Sequence, residues 1–394
     1  MGKPLNNEEL FTKNFILTSL STFTLFTSFY FLLITLPFYI QELGGSESEI
    51  GYIIGFFTLS AVFLRPFLGQ AVDRHGRKKI LVAGIVIFLA SMLLYNYTKD
   101  VSSLLLLRIF HGIGWGAATT AATTLIADIA PPMRRGEAMG IFGMSANVAM
   151  AIGPVLSIML LKAYDFPVLF TVCAAIALLS LLLVLPISEE IVIRPKTPLF
   201  SKEALFPSAL MFTISLTYGS IVSFLPLFQE KQGIANAGIF FSIFAITLIL
   251  VRALAGKLSD IKGRKFVIVP GMIIITLGLW FVATANSLTT FLAAALLYGL
   301  GFGLFHPTLM ALLVDRVSPQ GRGAAMGTFS AAFDLGIGVG SIIMGTVLQF
   351  AGSMLKDKFG EFAGFAAIYI LGGLIVLVAS VLFTLKYNEN KKDA

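Results

Sequence analysis

The stretch Gly69–Lys79 reads GQAVDRHGRKK and lies between two long apolar runs of the chain. Besides its glycines it carries ionisable side chains at Asp73, Arg74, His75, Arg77, Lys78 and Lys79. A segment with this many charges cannot lie in hydrocarbon, so we expect it to form a loop at the face of a membrane.

A second copy of this stretch follows 187 residues later, where Gly256–Lys265 reads GKLSDIKGRK. The same shift also aligns positions far from the loop. The matched pairs include Gly51 with Gly238, Arg65 with Arg252, Asp128 with Asp315, Pro132 with Pro319, and Gly140 with Gly327. Chance does not account for so many matches at one spacing. The chain is therefore expected to consist of two halves built on one plan.

The 394-residue chain is 57% hydrophobic and only 12% charged. Soluble domains carry roughly 25% charged residues, so most of this chain is expected to be solvated by lipid. Backbone polar groups cannot be left unpaired in hydrocarbon, and the apolar runs should therefore be helices. The polar start of the chain has no cleavable signal pattern, so we expect the first apolar run to be retained.

Twelve apolar runs come close to the roughly 20 residues that a membrane-spanning helix needs. They cover 14–40, 49–71, 80–97, 102–126, 137–163, 166–186, 205–229, 236–257, 266–285, 289–313, 324–350 and 362–386. The predicted fold class is an all-α membrane protein with 12 transmembrane helices. Residues 1–187 are expected to form the first six-helix bundle, residues 188–204 a cytoplasmic linker, and residues 205–394 the second bundle.

The formal net charge is +7, and the basic residues cluster in alternate loops. The basic residues expected on the sparse side are only Lys99, Lys162, Lys231, Lys356 and Lys358. An excess of Lys and Arg marks the cytoplasmic loops, so both termini and the linker are predicted to be cytoplasmic. This placement argues against a nucleic-acid partner. We expect a monomeric, multi-pass protein of a bacterial cell membrane in contact with the lipid bilayer.

Gly69–Lys79 resembles the G-x-x-x-D-R-x-G-R-K signature of the major facilitator superfamily, which joins the second and third helices there. The resemblance implies two parallel six-helix repeats with a substrate site between them near the midplane. It also implies a gate. Asp73 would cap the eleventh helix, and Arg77 would pair with Asp128, while the cavity faces outward. The implied gating residues are Gly69, Asp73, Arg74, Gly76, Arg77, Asp128, Asp260, Arg264 and Asp315, with Arg264 and Asp315 as a second pair.

Two further segments resemble patterns of the same family. Arg108, His111 and the glycines that follow resemble R-x-x-Q-G-x-G, which is linked there to proton coupling. The alternative is a buried arginine bonded to backbone carbonyls, with His111 as a core residue. Gly140, Gly153 and Pro154 resemble an antiporter signature on the fifth helix, which favours export. Small residues there are expected to let the fifth helix approach the eighth, and the alternative is ordinary helix packing.

Asp334 is the one acid deep inside a predicted span, about 15 Å from the start of that span at residue 324. Its repeat partner, Asn147, cannot titrate. An ionisable group at this depth indicates function, so Asp334 is the candidate proton carrier. A structural, hydrogen-bonded aspartate is the alternative. For Arg65 and Arg252 we expect snorkelling, with the guanidinium at the membrane interface.

The resemblance places the substrate cavity among the first, fourth, seventh and tenth helices. Candidate lining residues are Tyr30, Trp115, Tyr218, Phe302, Phe305 and His306. Aromatic faces attract positive charge, which favours bulky amphipathic cations as substrates. The sequence predicts proton-coupled efflux of drug-like small molecules. Proton-coupled import of a small organic solute and a non-transporting receptor or scaffold are the alternatives. No phosphate loop, metal cluster or nucleophile–base pattern indicates an enzyme, a cofactor or a metal site.

Overall fold

The computed structural model describes residues 10–131, 134–189, 201–318 and 321–387. Most of the predicted linker lies outside the described residues, as do Pro132, Pro319 and both chain termini.

The described residues form twelve α-helices, with bounds close to those predicted for the spans. They are α1 (Lys13–Glu42), α2 (Glu47–His75), α3 (Arg77–Leu94), α4 (Val101–Ile129), α5 (Arg135–Ala163), α6 (Phe166–Val184), α7 (Leu205–Lys231), α8 (Gly238–Lys262), α9 (Arg264–Thr284), α10 (Leu288–Asp315), α11 (Arg322–Phe359) and α12 (Ala363–Lys386). Eleven are long and apolar enough to cross a membrane, and α8 makes twelve when Gly238–Arg252 and Leu254–Lys262 count as one bent span. The predicted all-α membrane fold is therefore confirmed.

The charged stretch Gly69–Lys79 is mostly helical, which corrects the expectation of a loop. α2 continues to His75, and a single residue, Gly76, separates it from α3. Gly76 has φ +94°, and its repeat partner Gly263 has φ +92° between α8 and α9. Side chains with a Cβ rarely adopt this conformation, so glycine permits the one-residue turn. Charged residues can continue a helix beyond the hydrocarbon because the helix still satisfies its own backbone groups.

Several helices begin with side-chain caps at the end of the molecule away from the Gly76 and Gly263 turns. Ser46 and Glu49 form a capping box at the start of α2. Asp100 accepts a hydrogen bond from the Ser103 amide at the start of α4, and this bond lowers the pKa of its carboxyl group. Asp165 caps α6 in the same way. Polar caps satisfy the first amides of each helix where the chain leaves the apolar region.

The helices pack as two groups, α1–α6 and α7–α12. In the first group α4 packs against α2 and α3, and α1 packs against α5 and α6. In the second group α10 packs against α8 and α9, and α7 packs against α11 and α12. Three helix pairs make the main contacts between the groups: α1 with α7, α2 with α11, and α5 with α8. A functional site between the groups must therefore lie along these pairs.

Candidate functional site

One end of the molecule, which we call the opposite face, is where the loop between α1 and α2 lies. Here the two groups are in close contact. The backbone of α2 at Gly51 lies directly against α11 at Ser341, and α8 at Gly238 lies against α5 at Pro154. The Ser48 amide also donates to Gln349 Oε1 over 3.3 Å. Close backbone approach at small residues joins the two groups along α2–α11 and α5–α8 at this face.

The other end, which carries the Gly76 and Gly263 turns and which we call the basic face, is open between the groups. Each of α2, α5, α8 and α11 has a glycine near this end where an added Cβ would meet no neighbouring atom within 4 Å. These glycines are Gly69, Gly140, Gly256 and Gly327. The same four helices are in backbone contact at the opposite face. The space between the groups is therefore a cleft that opens toward the basic face.

Asp334 of α11 lies in this cleft, in an ion pair with Arg65 of α2. Arg65 Nη2 is 2.5 Å from Asp334 Oδ2, and the two side chains remain 26% and 20% exposed. Arg65 lies ten residues before the end of α2, about 15 Å from it, and Asp334 twelve residues into α11, about 18 Å. The pair joins the two helix groups inside the cleft.

This pair corrects the expectation that Arg65 snorkels to the interface. A guanidinium at this depth is stabilised more by a carboxylate that also needs a partner than by lipid around its stem. The deep acid was predictable from the sequence. Its partner was not, because the repeat spacing relates Arg65 to Arg252 and gives no sign of a contact with α11.

The predicted contact between Arg77 and Asp128 is present at the basic face. Arg77 Nε donates to Asp128 Oδ2 over 2.7 Å, and the Arg77 side chain is only 1% exposed. Asp73 is exposed, with its Oδ1 3.7 Å from Arg77 Nη2. Arg74 beside it is also exposed. Arg77 thus ties the start of α3 to the end of α4 within one helix group. The pair is present with the basic face open, which corrects the expectation that it forms only while the cavity faces outward.

The second copy of the loop makes the matching pair with weaker burial. Arg264 Nε donates to Asp315 Oδ2 over 2.9 Å, and Arg264 Nη1 donates to Asp260 Oδ1 over 2.6 Å. The predicted cap of α11 by Asp73 is not formed in this conformation. α11 follows Gly321 with no side-chain cap. The resemblance implies that this cap exists only when the basic face is closed, and here it is open.

Glu189, at the start of the predicted linker, caps α3, and sequence reasoning missed it. Its carboxylate accepts from the backbone amides of Arg77 and Lys78, at 2.5 and 2.9 Å. Lys78 Nζ in turn donates to the carbonyl of Leu185 over 2.7 Å, just after α6. An acid at a helix N-terminus is favourable because it meets unpaired amides and the positive end of the helix dipole. The signal available in the sequence was only an acid after an apolar run.

Arg108 and His111 are fully buried inside the first helix group, away from the cleft. Arg108 Nη1 donates to the Tyr95 hydroxyl over 3.3 Å, and its Nε is 3.4 Å from the carbonyl oxygen of Ile53. Its guanidinium lies 3.9 Å from the centre of the Phe57 ring. His111 Nδ1 is 2.9 Å from the Tyr95 hydroxyl. This geometry corresponds to the alternative of a buried arginine bonded to a backbone carbonyl, and a role in proton coupling stays a prediction.

The candidate substrate residues form one aromatic cluster in each group. In the first group Trp115 stacks on Phe29, with ring centres 4.2 Å apart, and Tyr30 contacts the same ring at 5.3 Å. In the second group Phe302 lies 6.1 Å from Tyr218 and stacks on His306 at 5.7 Å.

Phe333, next to Asp334 in α11, joins the second cluster, with its ring 6.3 Å from that of Tyr218. Phe305 differs from the other candidates. It is fully buried, and its backbone lies against Gly271 of α9.

The structure corrects the packing expected for the antiporter-like segment. Gly153 faces Tyr30 of α1, and Gly140 faces open space, so neither glycine packs against α8. The contact between α5 and α8 instead uses the Pro154 backbone against Gly238, together with a hydrogen bond from Ser242 Oγ to the Ala151 carbonyl. The close approach of α5 and α8 therefore uses a small residue of α8, Gly238, as well as the α5 backbone at Ala151 and Pro154.

Comparison with known proteins identifies relatives across the whole chain. A family model described as Major Facilitator Superfamily matches residues 18–237 and 208–394. An uncharacterised MFS-type transporter of Methanocaldococcus jannaschii is 28% identical over 88% of this chain and 94% of its own length. Multidrug resistance protein 2 of Bacillus subtilis is 27% identical over 100% of this chain and 99% of its own length. The staphylopine export protein of Staphylococcus aureus is 24% identical over 88% of this chain and 89% of its own length.

Solved structures show the same fold at lower sequence identity. A bacterial homologue of the human lysosomal transporter Spinster, described as inward-facing and occupied, superposes with a TM-score of 0.81, at 16% identity over 96% of this chain and 97% of its own. A D-xylose–proton symporter superposes with a TM-score of 0.76, at 17% identity over 97% of this chain and 99% of its own.

Proposed function

Because the chain belongs to the Major Facilitator Superfamily, we propose that it exports small amphipathic molecules in exchange for protons, by alternating access. Membrane transport itself follows from the family. The finer assignment rests on one observation, the Arg65–Asp334 ion pair inside the cleft. We further propose that the basic face is cytoplasmic and that the protein works as a monomer in the plasma membrane.

The ion pair supports proton coupling because its strength depends on the protonation of Asp334. With the carboxylate ionised, a charge-assisted bond joins α2 to α11 across the cleft. A proton on Oδ2 removes the negative charge and makes the Asp334 carboxyl a much weaker acceptor for the Arg65 guanidinium. Protonation would therefore loosen the inner contact between the helix groups, and release of the proton would restore it. An acid that alternates between a proton and a guanidinium is the component that an exchanger needs.

The names of two relatives favour export over import, since one is an export protein and another a multidrug resistance protein. The open glycines at the basic face support alternating access. The basic ends of α2, α5, α8 and α11 have room to approach one another as their other ends do now.

The decisive experiment is Asp334→Asn in proteoliposomes loaded with a pH-sensitive dye. The amide mimics the protonated acid, so we expect proton-driven substrate transport to fall to background while equilibrium substrate binding stays measurable. Asp357→Asn is the matched control, because Asp357 is an exposed acid near the other end of the same helix. Asp334→Asn protein with normal proton exchange and uphill transport would make the aspartate structural. Uphill transport in the opposite direction would favour import.

A further inference from the structure

Backbone contacts between the helix groups recur at positions related by the 187-residue repeat, whereas one charged pair between them does not. Gly51 of α2 lies against Ser341 of α11, and the residues 187 positions away, Gly238 and Pro154, lie against each other in α8 and α5. The contact of Gly55 with Gly338 likewise corresponds to that of Ser242 with Ala151.

The Arg65–Asp334 pair therefore has a counterpart in the other pair of helices. Its repeat equivalents are Arg252 of α8 and Asn147 of α5. In this second position the acid is replaced by a neutral amide. Arg252 lies ten residues before the end of α8, just as Arg65 lies ten residues before the end of α2.

Arg252 has no ion-pair or hydrogen-bond partner among the residues that the structure describes. Its side chain is exposed, and it lines a small cavity between α8 and α10 together with Phe302 and His306. Phe302 and His306 belong to the aromatic cluster that also contains Tyr218. The unpaired cation thus lies at the edge of the candidate substrate site.

The charges at this depth do not balance. The two repeat-related guanidinium groups, Arg65 and Arg252, are matched by one carboxylate, Asp334, and that carboxylate is paired with Arg65. A cation at membrane depth is costly without a counter-charge, so an anion from outside the protein is the favoured partner. A guanidinium holds a carboxylate through two parallel hydrogen bonds, which gives orientation as well as affinity.

We propose that Arg252 is an anion-recognition residue, and that the transported molecule carries a carboxylate on an aromatic or apolar body. The carboxylate would bind at Arg252 beside His306, and the apolar body would lie against Phe302 and Phe333. This inference rests on the proposed transport function and names its substrate class. It replaces the amphipathic cations favoured by the aromatic residues alone, because the one acid among these three charges is occupied.

The test is equilibrium binding to purified protein, measured by ligand-induced thermal stabilisation with 2-naphthylacetate, 2-naphthylacetamide and 2-naphthylethylamine. These probes share one aromatic body and differ in charge. We expect wild-type protein to bind the acid at least tenfold more tightly than the amide or the amine. Arg252→Gln should remove this preference while leaving amide binding unchanged. Lys257→Gln is the matched control, since it removes an exposed cation from the same helix.

A second variant supplies the missing acid. Asn147→Asp reproduces the Arg65–Asp334 arrangement at the equivalent position, so its carboxylate should pair with Arg252. We expect it to lose binding of the acid probe and to keep binding of the amide. Because it adds a carboxylate and keeps Arg252, loss of folding in Arg252→Gln would not remove the test. Size-exclusion elution and thermal unfolding report the folding of each variant.

An anionic lipid headgroup is the other source of an oxyanion. The binding series is therefore run in nanodiscs of phosphatidylcholine alone and of phosphatidylcholine with phosphatidylglycerol. A substrate subsite predicts the same acid preference in both. If Arg252→Gln alters stability only with phosphatidylglycerol and leaves acid binding unchanged, Arg252 serves lipid and the proposal is wrong. Equal binding of the three probes by wild-type protein, or no binding of the acid, also overturns it.

These outcomes are separate from those of the proton-coupling experiment, because binding needs no gradient. Loss of acid preference in Arg252→Gln supports the subsite whatever Asp334→Asn does to proton exchange.

Discussion

At the scale of the residue, the depth of Asp334 in its helix could be predicted from the sequence, but its partner Arg65 could not. A sequence shows which residues share a face of one helix, whereas the Arg65–Asp334 contact depends on how α2 and α11 cross. Arg108 lies inside one helix group, where its guanidinium contacts a carbonyl, a hydroxyl and an aromatic face. Burial cost alone does not distinguish a pathway from a core.

The two repeat-related arginines at the basic face should differ in their contribution to stability. Arg77 is almost fully buried beside Asp128, whereas Arg264 and its partner Asp315 are 19% and 39% exposed. Removing one member of a buried pair costs about 3–5 kcal/mol, and an exposed pair contributes about 0–1 kcal/mol. Arg77→Gln should therefore lower the free energy of unfolding by several-fold more than Arg264→Gln. Equilibrium unfolding in detergent, followed by circular dichroism, compares them, and equal losses would contradict the role of burial.

At the scale of the element, the number and approximate bounds of the helices were predictable because twenty-residue apolar runs have few alternatives in lipid. The joints were less predictable. Charge in Gly69–Lys79 indicated a loop, yet Gly76 alone makes the turn. α11 continues to Phe359, beyond the predicted end at residue 350, because its polar last turns need no hydrocarbon around them. The cap by Glu189 depends on a tertiary contact between the end of α6 and the start of α3.

The glycines at the basic ends of α5 and α11 should be needed for movement rather than for folding. Gly140 and Gly327 have open space where a side chain would lie. Gly140→Leu or Gly327→Leu should fold normally but reduce transport at least tenfold, because the added side chain prevents the basic ends of the helices from approaching. Proteoliposome transport and thermal unfolding measure the two effects.

Two other glycines provide controls for that experiment. Gly352→Leu, at the other end of α11 and also facing open space, should leave transport unchanged. Gly55→Leu should instead lower stability, because a Cβ there meets the α11 backbone at Gly338. Full transport by Gly140→Leu and Gly327→Leu would show that the basic ends do not close.

At the scale of the whole molecule, the repeat predicted two halves, and the structure adds the state that they adopt. Both α2–α11 and α5–α8 are in contact at the opposite face and apart at the basic face. No sequence pattern selects between these ends, because the same small residues occur along the whole length of the helices. Two conformations of one chain commonly differ by only a few kcal/mol, and composition does not encode a difference of that size.

A covalent lock on the opposite face should therefore stop transport without stopping binding. The Ser48 amide and the Gln349 side chain are in contact across this face, at 3.3 Å. Ser48→Cys with Gln349→Cys, in a Cys173→Ala background that removes the single native thiol, should be joined by a short bifunctional methanethiosulfonate, whose links to both thiols are cleaved by reduction. The cross-linked protein should lose transport to background and bind substrate from the basic face with unchanged affinity. Reduction should restore transport, and each single-cysteine variant should transport normally under both conditions. Transport at the wild-type rate by fully cross-linked protein would mean that this face does not open in the cycle, and alternating access between the two faces would have to be abandoned.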